Sequence, residues 1–391
     1  MKKYMRSAEA VSKKTAALAM LFVCVQALSA FATNFASLQS RKWQKVLEEA
    51  QHGNHTAQTQ LGIAYSEGRD FEQDFSEALK WFSEAAKQDD PVAQYRLGLL
   101  YYYGQGVDRN LAIAVQWFEK AAQRGMPEAQ FDAAFLYERG MGVQRNLGKA
   151  FELYLEAAKS GCAPAQNNLG HMYETGEGVS RNPARAVEWF LNSANQGDAN
   201  GRFNLAVMYA RGTGVAQDYV QAAKWVELAA KQGNTKAQGA LGDLYLRGQG
   251  VRQDDHTAAL WLRRAADQGD MTAQTELGTL YLTGRGVPHD DALAAAWLTK
   301  AAEHGDHDAR AKLASLYEYG HGVPRDLNRA YFWRLLSLEG GNLEESHKLQ
   351  DLARWMSAED IAAAERHSSE WRQSHPASAT SDVNLAVMPT P

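Results

Sequence analysis

A chain of 391 residues could hold two or three ordinary domains unless an internal repeat governs it. With 45% hydrophobic and 22% charged residues, 32 glycines and nine prolines it reads as globular, and no apolar run is long enough for a multi-spanning membrane protein. The formal charge of −5 hides a basic start: residues 1–32 carry a net +4, so the remainder stands at −9 and lacks the basic footprint that holds nucleic acid.

In chain order, Lys2, Lys3, Arg6, Lys13 and Lys14 precede an apolar run over 16–28, and Ala30-Phe31-Ala32 follows it. That is the order of a secretory signal, so residues 1–32 are expected to be a signal peptide cut after Ala32, with the mature protein periplasmic or secreted. A run of about 13 apolar residues is short for a ~30 Å hydrocarbon core. The bulky Phe22-Val23 pair also argues against lipidation at Cys24. Once the signal is removed Cys162 is the only cysteine, which excludes an internal disulfide and suggests that it fills a small gap between helices.

Residues 33–56 read as a capping half-repeat, with Trp43, Val46, Leu47, Ala50 and Gly53 on the pattern of a lone second helix. A 36-residue period then occupies 57–344, eight times over. It aligns Tyr65, Tyr101, Tyr137, Tyr173, Tyr209, Tyr245, Tyr281 and Tyr317. The same shift aligns eight alanines from Ala78 to Ala330, and seven tryptophans (Trp81, Trp117, Trp189, Trp225, Trp261, Trp297 and Trp333), with Leu153 standing in once. Such a period signals a stacked array whose units bury their apolar faces against one another.

Within a unit, Ala-Gln-x-x-Leu-Gly-x-x-Tyr (165–173) has a helical stripe, helix A, and Ala186, Trp189, Phe190 and Ala194 form a second, helix B. The glycine after helix A can end it in the left-handed conformation. Six residues later comes Asp74, Asn110, Asn146, Asn182, Asp218, Asp254, Asp290 or Asp326, each expected to cap helix B. Gly62, Gly98, Gly170, Gly242 and Gly278 lie inside helix A, where glycine costs ~0.8–1.0 kcal/mol relative to Ala, so close helix contact must compensate. The recurring Trp is expected to fill such gaps, with Trp225→Ala costing about 3–5 kcal/mol. Residues 345–373 read as two capping helices, the second opened by Ser357 with Asp360, and 374–391 as a disordered tail.

This pattern of Ala, Leu-Gly, Tyr, Gly-x-Gly-Val, Asp/Asn, Ala, Trp and Ala-Ala resembles the Sel1-like repeats, relatives of the tetratricopeptide repeats, over 57 to about 341. Departures are local: Asp70 replaces the second loop glycine of unit one, Ala133-Ala134 replaces Leu-Gly in unit three, and unit five opens with Gly201. The resemblance implies an all-α fold, an α/α solenoid wound as a right-handed superhelix. It also implies a protein-binding scaffold, of a kind common among exported bacterial proteins and sometimes linked with host contact or envelope assembly.

Chemistry-bearing motifs reduce to structure. The Gly-x-Gly loops follow a helix where a phosphate site needs a strand. Neighbouring Asp/Asn caps, stacked about 10 Å apart, cannot share a calcium ion. His289 and His321 lie in loops while His304 and His307 end a helix ~21 Å long, so they should not converge on zinc. His171 and Glu174 share a helix face without a nucleophile beside them. No Ser-x-x-Lys or Lys-Thr-Gly supports a β-lactamase-like hydrolase. The expectation is no cofactor, no metal and no catalysis.

If offsets 0, 4, 5 and 8 of helix A face the stack, offsets 2, 6 and 9 are free to line the inner curve. There the early units place Tyr95, Leu99 and Tyr102, with Tyr103 alongside, then Phe131 and Phe135, helped by Phe203 and Val207. A contiguous aromatic patch marks a contact site, so these eight residues are the candidate surface for a protein or peptide from the envelope or a host. Tyr95, Phe131 and Phe203 can equally be read as packing against the adjacent unit. Peptidoglycan or polysaccharide binding, and a hydrolase with an unrecognised site, remain alternative functions.

Overall fold

The computed structural model describes residues 41–340 and 343–375; the expected signal segment, Cys24 and the chain beyond 375 lie outside them. Every regular element among the described residues is helical. Two compact units divide the chain, Met1–Asn146 and Leu147–Pro391.

The first unit holds α1 (41–51), α2 (His55–Glu67), α3 (Phe75–Ala86), α4 (Pro91–Tyr103), α5 (Leu111–Gln123) and α6 (Pro127–Arg139). The second begins with α7 (Leu147–Lys159), α8 (Ala163–Thr175), α9 (Pro183–Asn195), α10 (Ala199–Arg211) and α11 (Tyr219–Lys231). It continues through α12 (Thr235–Arg247), α13 (Asp255–Asp267), α14 (Met271–Thr283), α15 (Asp291–Glu303), α16 (His307–Tyr319) and α17 (Leu327–Ser337). A 3₁₀ turn, α18 (Leu343–Ala353) and α19 (Ala358–Ser374) close it. From α2 to α17, even-numbered helices are helix A and odd-numbered ones helix B. Within each unit consecutive helix pairs pack together as an all-α, α/α solenoid.

Local chemistry sets the helix lengths. Gly104 ends α4 at φ +73°, a conformation that costs glycine little, and its amide returns to the Leu100 carbonyl. Seven of the expected helix-B caps are made: Asp74, Asn110, Asn182, Asp218, Asp254, Asp290 and Asp326 each accept from an amide in the first turn. The second loop glycine answers to its neighbour. Gly178 (φ +73°) lies against the start of α7, and a Cβ there would come within 2.5 Å of the Leu147 carbonyl oxygen.

The core is a series of seams that join helix B of one repeat to helix A of the next, with the bulky helix-B side chain packed also on helix A of its own repeat. Ala78, Phe82 and Ala85 meet Ala93, Leu97 and Leu100 in the first unit. Ala259, Leu262 and Ala265 meet Ala273, Leu277 and Leu280 in the second. No repeat encloses a core of its own, which is why the array needs neighbours.

Two expectations are corrected here. Trp81, Trp297 and Trp333 are buried, but Trp117, Trp189, Trp225 and Trp261 are only half-buried. The deepest helix-B side chain is the next one along: Phe82, Phe118, Tyr154, Phe190, Leu262 and Leu298 are all fully buried. Cys162 occupies the N-cap position of α8 and is half-buried, so it lies in a turn and not in an inter-helix gap.

Candidate interaction surface

The eight candidate residues separate by depth. In the first unit Tyr95, Phe131 and Phe135 are 8%, 5% and 9% exposed, core positions in all but name. The Tyr95 ring lies 5.6 Å from that of Phe118, and its hydroxyl donates to Asp132 Oδ2 at 2.9 Å. Leu99, Tyr102 and Tyr103, on α4, are half-buried and reachable. Tyr102 and Tyr103 meet edge to face at 5.0 Å, and Arg109 holds the Tyr102 end by donating from Nε to its backbone carbonyl at 3.0 Å. Leu99 follows Tyr95 by four residues, so one helix face carries a buried ring at its base and accessible side chains above it. Phe203 and Val207 belong to the second unit and are half-buried; Phe203 packs against the Ala206–Leu241 cluster, so much of its ring is core.

Asp132 is almost wholly buried, and loss of water pushes its carboxyl up to about 7, against the downward pull of the Tyr95 hydrogen bond. Burial raises the Tyr103 hydroxyl as well, with Tyr102 and Asp132 adding to it. The surface is therefore mostly apolar, with the Tyr103 hydroxyl held protonated, and suits apolar or hydrogen-bonding side chains. A second feature lies at the far end of the second unit, a recess of about 490 Å³ beside Phe332, Trp333, His367 and Trp371.

Of the four histidines weighed for zinc, two meet at one carboxylate. His289 and His321 both approach Asp291, at 3.1 and 3.7 Å, whereas His304 bonds to the Lys300 carbonyl. Among the described residues no three His, Cys, Asp or Glu side chains converge as a metal set, and no helix is long and apolar enough to cross a membrane.

The Sel1 repeat pattern matches this sequence eight times in succession, over 55–90, 91–126, 127–162, 163–198, 199–234, 235–270, 272–306 and 307–342. The chain belongs to the Sel1 repeat family. A Sel1 repeat protein of Oxalobacter formigenes is similar at 34% identity over 79% of this chain and 90% of its own, with a TM-score of 0.62. A protective antigen of uropathogenic Escherichia coli strains with the same repeat fold shares 29% identity over 86% and 92%, at a TM-score of 0.46. Yeast Tom70 aligns at 13% identity over 82% of this chain and 66% of its own, with a TM-score of 0.39. No curated protein sequence matches. Sel1 repeat proteins are generally protein-interaction scaffolds and typically non-catalytic.

Within the Sel1 frame, sequence reading overlooked the glutamine beside the leading alanine. Gln58, Gln94, Gln166, Gln238 and Gln274 each donate from Nε2 to the backbone carbonyl eight residues earlier, at the end of the preceding helix. Arg202 and Arg310 make the same bond from Nε. The recurring Ala-Gln pair was the signal, but its partner lies in another repeat.

Proposed function

We propose that this chain is an exported, noncatalytic scaffold that captures a protein or peptide segment on the concave helix-A face, with Leu99, Tyr102 and Tyr103 as the contact and Phe135, Phe131 and Tyr95 as the support beneath. Envelope or host proteins are the proposed partners, and the basic-then-apolar start is the basis for export to the periplasm or beyond. The observation that carries the reading is the accessible Tyr102–Tyr103 pair on positions of α4 that the seams leave free. Rigid aromatic side chains bury large areas at little entropic cost, as binding hot spots do. Phe203 and Val207 are kept as a secondary contact of the second unit.

The test is a photo-crosslinkable residue at position 102 in the full chain, expressed in its own cells, with one at exposed Lys80 as control. Capture of a discrete protein from 102 but not from 80, lost with Leu99→Ser at unchanged melting temperature, supports the reading. Equal capture from both positions, or capture indifferent to Leu99→Ser, sinks it.

A further inference from the structure

The second unit carries a recess of about 450 Å³ on the helix-A side of α10, α12 and α14 that the aromatic surface does not explain. Its origin is a missing side chain. At one register of helix A this unit places Asn167, Phe203, Gly239 and Thr275, so glycine stands where the preceding repeat has an aromatic ring. A Cβ built on Gly239 meets nothing closer than the Asp270 carboxylate oxygen at 3.8 Å. Phe203 and Ala240 line the recess.

The polar groups around it are unequally occupied. Asp243 accepts from Arg247 Nε at 2.6 Å, and Asp270 caps α14 through the Ala273 amide at 2.7 Å. Glu276 is half-buried on the lining, and among the described residues it makes no hydrogen bond or ion pair. Lys236, also on the lining, is exposed. The lining thus carries three carboxylates against two cations, and one of those cations is already paired. We propose that the recess anchors one basic side chain, lysine or arginine, of a partner polypeptide, with Glu276 receiving the charge and Phe203 flanking the alkyl stem. This rests on the scaffold reading and adds to it the chemistry of a partner residue.

Charge complementarity selects this occupant. An anion would face Glu276, Asp243 and Asp270 for the sake of one exposed lysine, whereas a cation meets an unpaired carboxyl in a poorly hydrated place, where ion pairing is stronger than in bulk water. Burial first, and Asp243 second, push Glu276 up to about 7 against the pull of Arg247, whose guanidinium is bonded to Asp243, so a bound ammonium or guanidinium would supply the direct ion pair that Glu276 does not make. The stem of lysine or arginine gains apolar cover while its head pairs.

The experiment uses the full chain, isotope-labelled, with the blocked peptide Gly-Gly-Lys-Gly-Gly and its norleucine and glutamate counterparts as probes. The Gly239 amide signal and the Glu276 titration are followed by NMR. The lysine peptide is expected to shift Gly239 and lower the Glu276 midpoint, the other two are not, and Glu276→Gln is expected to weaken lysine binding about tenfold. Gly239→Phe, which copies the preceding repeat, should fill the recess and abolish binding. Equal binding of the norleucine peptide, indifference to Glu276→Gln, or no response to lysine peptide up to about 10 mM each overturns the assignment. Failure here with successful capture at position 102 refutes the anchor alone. The reverse pair of results refutes the aromatic contact and leaves the anchor standing.

Discussion

In repeat 2 the absent side chain of Gly98 is replaced by the ring of Phe118, and the same exchange recurs along the chain. A Cβ on Gly62, Gly170, Gly242 or Gly278 would lie 2.5–2.8 Å from Phe82, Phe190, Leu262 or Leu298, closer than packed carbon atoms allow. Repeat 5 has Ala206 at this register, and Val226 stands where the bulkier residue would be. Gly170→Ala should therefore destabilise the protein by roughly 1–3 kcal/mol through overpacking, and Phe190→Val should recover part of it in a double-mutant cycle read by chemical denaturation. The Tyr95–Asp132 pair gives a second prediction. Asp132 ordinarily releases its proton at 3.8 and in the fold at about 7, so between these values the native state holds more protons than the unfolded chain. Its contribution is thus fully present below about pH 4 and is lost as pH rises through about 7. Melting measured from pH 4.5 to 7.5 should fall relative to Asp132→Asn, which removes the titrating group. Tyr95→Phe at pH 7 should cost roughly 1–3 kcal/mol, because Asp132 loses its donor.

At the scale of the helix, stability comes from ends that find partners. The Asp290 carboxylate accepts from the Leu293 amide at 2.9 Å, and Asp290→Ala should cost about 0.5–2 kcal/mol in thermal or denaturant unfolding. The glutamine bridges are graded by what lies 30 residues on. Gln196 and Gln268 donate to the Oε1 atoms of Gln166 and Gln238, completing both amides. Gln274 has His304 at the corresponding place, and its Oε1 is buried without a partner. Gln238→Ala should therefore destabilise by about 1 kcal/mol more than Gln274→Ala, since the second removes an acceptor that was already unsatisfied. The half-buried Trp225 sets a smaller penalty for Trp225→Ala than its sequence position suggests, below the ~3–5 kcal/mol of a fully buried ring.

For the molecule as a whole, the seams make each unit a chain of nearest-neighbour contacts, so its ends need their own closure. Arg334 supplies it in the second unit. It takes the register of Phe82 and Phe190, is only 1% exposed, and donates to Glu318 Oε2 at 2.7 Å and Glu345 Oε2 at 2.6 Å. These bonds tie α17 both to α16 and to α18. Arg334→Met leaves the buried Glu345 with only the more exposed Lys348 as a charge partner, takes away the cation that holds Glu318, and should cost about 3–5 kcal/mol. Limited proteolysis should then release α18 and α19 before the repeats are cut, and cutting within the repeats first would contradict this. Replacing both Arg334 and Glu345 by leucine should restore much of the loss.

The period, the paired helices, the caps and the stopping glycines were legible in the sequence because they follow rules of range three to six residues, repeated eight times. Depth was not legible. Tyr95, Leu99 and Phe135 share one stripe, yet their exposure depends on side chains contributed by other repeats, as the bond from Tyr95 across 37 residues to Asp132 illustrates. The isolation of Glu276, the hollow at Gly239 and the burial of Arg334 likewise required the tertiary structure. An amino acid's local propensity is written in its own neighbourhood, while the water it loses on folding is removed by residues one repeat away.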